Sequence, residues 1–88
     1  MKTITATFRD AQGATLATAQ ASFAACPGEG DIRWIGDTDE LERRIVPTRP
    51  VPRHGYAGTF QGWMVRLAEQ AGVKVEITSE GEWEEYEE

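Results

Sequence analysis

TITATFRDAQGATLATAQASFAA, residues 3–25, decides what kind of protein this is. Ile4, Ala6 and Phe8 fall on one side of an extended chain and Thr3, Thr5 and Thr7 on the other, the period of a half-buried strand. Asp10-Ala11-Gln12-Gly13 follows, with Asp at the head of a turn and Gly at its end. The chain then resumes through residues 14–25, where Leu16 and Phe23 are the large apolar groups among Ala and Thr. A helix over residues 16–24 competes, because Ala is the best helix former. The turn accounts for more of the segment, so the expectation is an antiparallel hairpin.

Working outward, Cys26-Pro27-Gly28-Glu29-Gly30-Asp31 reads as a loop, broken by Pro and two Gly. Residues 32–35, Ile-Arg-Trp-Ile, read as a short third strand ended by Gly36. Asp37 and Glu40 have the spacing of a capping box. They predict a short helix that buries Leu41 and Ile45, with Val46 beside them, carries Arg43 and Arg44 in its last turn and stops at Pro47. Residues 47–55, PTRPVPRHG, read as an extended connector, because Pro47, Pro50 and Pro52 favour polyproline geometry. The clearest helix covers residues 59–71, with Phe60, Trp63, Met64, Leu67 and Ala71 on one face and Gly72 just past its end. Val73, Val75 and Ile77 then alternate with Lys74, Glu76 and Thr78 as a strand. The fold class is α+β: a single-layer antiparallel sheet covered on one face by the main amphipathic helix, in the order β-β-β-α-α-β.

Eighty-eight residues make one domain, residues 1–79, followed by an acidic segment, residues 80–88. A chain of this size buries only about 60–65% of the surface its unfolded form exposes, so its stability margin is narrow. One Cys excludes an internal disulfide, and with one His it leaves too few strong ligands for structural zinc; no metal or cofactor is expected. MKTITATFRD has no apolar targeting core, and no run is long enough to span a bilayer, so the expected compartment is the cytoplasm of a bacterial cell.

The net charge of −6 sits at one end. Residues 80–88 read EGEWEEYEE, with six Glu and no Lys or Arg; the remainder of the chain has nine acidic and nine basic side chains. Glu82, Glu84, Glu85 and Glu87 are candidates to imitate a nucleic-acid backbone and occupy a basic groove on a partner protein. Trp83 and Tyr86 would be their anchors. The competing readings are a solvated terminus and a Trp83 that packs back on its own core. The segment would extend the last strand, turn back at residues 79–81, or hang free. Arg43, Arg44, Arg49 and Arg53, near His54, form a secondary candidate surface. The overall acidity argues against direct nucleic-acid binding, and ordinary ion pairing explains the arginines as well. The P-x-x-P of Pro47–Pro50 is a match that chance supplies often. Cys26 with His54 has the residue types of a thiol nucleophile and its base, without a surrounding signature; the expectation is that the chain is not an enzyme. A homodimer joined through the Leu16-bearing second strand is the alternative to a foreign partner.

A short acidic chain without a catalytic signature, ending in Glu82-Trp83-Glu84-Glu85-Tyr86-Glu87-Glu88, resembles the phage-encoded inhibitors of bacterial defence known as anti-CRISPR proteins. The likeness is one of size and charge pattern. It implies a small α+β protein that blocks a nucleic-acid-binding or recruitment surface of a CRISPR effector complex, and it transfers no individual residue.

Overall fold

Asp10 closes the first hairpin with both its backbone and its side chain. Its N–H donates to Ala14 O at 2.9 Å and its carbonyl accepts from Gly13 N–H at 3.0 Å, while Oδ1 accepts from the N–H groups of Gln12 and Ala14, each at 2.9 Å. These bonds join β1 (Lys2–Arg9) to β2 (Thr15–Phe23), as the turn chemistry predicts. The register places Ala6 against Ala19 and Phe8 against Ala17, with an irregularity between Phe8 and Arg9. Asp10→Ala removes two side-chain bonds. It is expected to cost about 1 kcal/mol and to lower the thermal midpoint by about 4–8 °C, measured by circular dichroism.

The computed structural model describes residues 1–45, 50–83 and 85–86. After β2 come β3 (Ala25–Cys26), β4 (Glu29–Ile35), α1 (Asp39–Arg44), β5 (His54–Tyr56), α2 (Phe60–Ala71), β6 (Lys74–Gly81) and β7 (Glu85–Tyr86). Five strands form one antiparallel sheet in the order β5-β4-β2-β1-β6; β3 and β7 pair in parallel as a separate two-stranded ribbon. The fold is therefore α+β, as expected, with three further short strands. Among the described residues no helix is long and apolar enough to cross a membrane.

The core lies between the sheet and the two helices. Ile4, Ala6 and Phe8 of β1, Ala17, Ala19, Ala21 and Phe23 of β2 and Ile32 of β4 are buried, with Leu41 and Ile45 at α1 and Phe60, Met64, Leu67, Ala68 and Ala71 of α2. The alanines at the centre of β1 and β2 leave room for the helical side chains. Phe60 meets Phe23 edge to face at 6.0 Å between centroids, and Trp34 stacks on Phe8 at 5.7 Å. Gly72 ends α2 at φ 70°, the left-handed conformation expected of a C-terminal cap.

Several expectations need correction. The stretch from Cys26 to Asp31 is not all loop: Cys26 belongs to β3 and Glu29 starts β4. The connector ends in β5, whose His54, Gly55 and Tyr56 pair with Asp31, Gly30 and Glu29. Asp37 Oδ1 accepts from Asp39 N–H at 2.9 Å, but Thr38 is the N-cap and Glu40 turns to Arg43 and Arg44 instead of back to the cap. Trp63 leaves the buried face of α2 and is 38% exposed, while Ala68 takes a core position. Above all, β2 is not an edge strand: it lies between β1 and β4, which covers it over residues 18–21, and among the described residues the long free edge is β6.

Candidate functional surface

The acidic end starts inside the sheet. β6 runs antiparallel to β1 over eight consecutive pairs without a register shift, from Lys74 opposite Arg9 to Gly81 opposite Lys2. Glu80 is thus a strand residue, opposite Thr3. At Gly81 φ is +83°, and a β-carbon there would collide with the carbonyl oxygen of Met1. Only glycine fits both demands. The chain bends at that point, Glu82 is exposed, and Trp83 turns back, half-buried, against the core. Lys2 Nζ lies 5.0 Å from the centroid of the Trp83 ring, a cation–π contact. Beyond it Glu85 and Tyr86 pair with Ala25 and Cys26.

Of the readings open for this end, strand extension and turning back both occur, in that order. Part of the Trp83 ring is taken up by the chain's own core and by Lys2, which reduces what it offers a partner. Glu80 and Glu82 are exposed, with no ion pair among the described residues, whereas Glu76 is bound by Arg9 (Nε–Oε1 2.8 Å). Glu84, Glu87 and Glu88 lie outside the described residues. Gly81→Ala is expected to cost at least about 1–2 kcal/mol, the penalty of a left-handed conformation for an L-residue, to which the collision with Met1 O adds, and to speed cleavage after Glu82 by a glutamate-specific protease. Wild-type cleavage rates in that variant would contradict the anchoring.

The arginine cluster is divided. Glu40 holds Arg43 at 3.4 Å and Arg44 at 3.1 Å along α1, so one carboxylate serves both cations. Arg49 lies outside the described residues. Arg53 instead borders a cleft of about 430 Å³ between residues 50–54 and the Trp63, Leu67 and Gln70 side of α2. No local pattern in the sequence marks this cleft. Trp34 Nε1 donates to Pro52 O at 2.6 Å and ties its rim to the sheet. Gly55 lies under Trp63; a β-carbon on it would sit 3.6 Å from that indole.

His54 stands at the cleft mouth with Nε2 3.3 Å from Glu29 Oε1 and Nδ1 3.4 Å from Asp31 Oδ1, and meets Tyr56 edge to face at 5.9 Å. Both ring nitrogens face carboxylates, so the structure does not join His54 to Cys26 as base and nucleophile. Cys26 is half-buried in β3, beside the partner strand β7. No group of three or more His, Cys, Asp or Glu suited to a metal ion occurs among the described residues. Comparison with known proteins finds no matching family model, curated protein or solved structure.

Proposed function

We propose that this chain is a non-enzymatic protein-binding inhibitor, which sets the carboxylates of its C-terminal end against a basic surface of a host complex. The supporting observation is that Glu80 and Glu82 are exposed and unpaired among the described residues at the end of a fully paired strand, with Trp83 anchored just beyond. Charges fixed on a rigid element lose less entropy on docking than charges on a free tail. The run of Glu that follows in the sequence adds to the same field. A basic groove built to hold nucleic acid is the complementary surface, and the resemblance to anti-CRISPR proteins points to a CRISPR effector complex as the kind of target.

The test is capture from bacterial lysate on the immobilised chain. Proteins retained at about 0.1 M salt should be released near 0.5 M, where exposed charges are screened within about 4–5 Å. They should also be lost from a Glu80→Gln/Glu82→Gln variant of unchanged fold. Retention indifferent both to salt and to that variant would refute the reading.

A further inference from the structure

The outer edge of β6 has a phase, and two sets of bonds fix it. Asp10 N–H donates to Ala14 O, so in β1 the even-numbered residues direct their backbone groups to β2 and the odd-numbered ones to β6. At the other side, Ile32 N–H donates to Arg53 O, away from β2, and following the registers across β4 and β2 gives the same assignment for β1. The odd-numbered residues of β1 pair with Lys74, Glu76, Thr78 and Glu80. Val75, Ile77 and Ser79 therefore direct their N–H and C=O groups outward, where no strand of the described residues covers them.

We propose that this edge pairs with the same edge of a second copy, antiparallel about a two-fold axis through Ile77, joining two five-stranded sheets into one. The charge pattern of β6 selects that register. With Ile77 opposite its own counterpart, Lys74 faces Glu80 of the second copy and Glu76 faces Thr78, with both relations repeated by symmetry. All side chains then remain on matching faces of the sheet. Centring on Glu76 sets two Glu76 side chains against each other, and centring on Thr78 sets Glu76 against Glu80. Centring on Val75 pairs Lys74 with Glu76 but overlaps only residues 74–76 of the strand. An odd shift would place core-facing residues opposite solvent-facing ones. In the Ile77 register opposite charges face each other and like charges do not, and each kind of pairing carries energy across a strand pair.

Two further features agree. β6 is eight residues long, pairs with β1 without a bulge and contains no proline, so it lacks two devices that commonly block edge pairing. Val75 and Ile77 are only half-buried in the single copy, and pairing would cover more of their apolar surface. The acidic ends do not oppose the arrangement. The two Gly81 residues would lie about 27 Å apart at a rise of about 3.4 Å per residue, well beyond the screening length of about 8 Å at physiological salt. Beyond Gly81 the chain turns towards β3, on the far side of β1 from this edge. The pairing would engage Glu80, one of the two carboxylates of the inhibitor reading, with Lys74 of the second copy, and would leave Glu82 exposed at both ends.

Sedimentation velocity from micromolar to several hundred micromolar chain is the test, with folding of each variant checked by circular dichroism. The wild-type chain should form a dimer. Lys74→Glu should raise its dissociation constant about tenfold, since two attractive pairs become repulsive, and Lys74→Glu/Glu80→Lys should restore it to near the wild-type value. Ser79→Pro removes an outward N–H without touching the bonds to β1 and should abolish the dimer while the monomer stays folded. If Ser79→Pro fails to fold, the charge swap still decides. A chain that is monomeric throughout, a dimer insensitive to Lys74→Glu, or one that the double exchange does not rescue overturns the proposal. So does an edge occupied only by a different protein.

Discussion

Phe60→Ala should cost about 3–5 kcal/mol, the range for truncating a buried aromatic. Phe60 is fully buried, opens α2 and meets Phe23 at the end of β2. The sheet beneath it is lined by small side chains at Ala6, Ala19 and Ala21, which cannot expand into the space left behind. A chain of this length has a total stability of about 4–13 kcal/mol, so the variant should lose a large share of it. The thermal midpoint should fall by about 15 °C or more. Urea unfolding followed by circular dichroism measures the same loss; a change under about 1 kcal/mol would mean that α2 does not pack on the sheet as described.

Trp34→Ala should be nearly as costly, at about 3 kcal/mol, and its effect should reach the cleft. The indole does two things at once: it stacks on Phe8 and it donates to Pro52 O. The first holds β4 to the core; the second fixes residues 50–53, which form one wall of the cleft. Trp34→Phe keeps an aromatic ring against Phe8 but removes the bond and part of the packed surface, so it should cost less than Trp34→Ala, about 1–2 kcal/mol. Amide hydrogen exchange at residues 51–56 should rise in both variants. Loss of stability without increased exchange there would separate the connector from the indole.

The hairpin and α2 were legible because their signals are local. Asp10, Gly13 and the alternation from Ile4 to Phe8 specify one turn and one register, and Phe60, Met64, Leu67 and Gly72 specify one helix face and its end. β5 was not legible, since His54-Gly55-Tyr56 is too short for a pattern and follows a proline-rich run. Strand order is a long-range property: nothing near Leu16 shows that β6 returns to β1 while β4 pairs with the middle of β2, so local pattern does not reveal which strand is the free edge. Trp63 fits the helical period but is displaced from the core because it lies over Gly55 in the unforeseen β5. The acidic composition of residues 80–88 was plain in the sequence. That the segment begins as a strand, bends at Gly81 and leans Trp83 on Lys2 depends on contacts with Met1 and Lys2, at the opposite end of the chain.

The proposal that this end is the binding element is tested most directly by the salt dependence of affinity for a captured partner. The full chain is compared with a chain ending at Gly81 and shown to be folded. The full chain should bind with an affinity that falls steeply as salt rises, and the shortened chain should bind more weakly, with a flatter slope. Equal affinities and equal slopes for the two chains would contradict it.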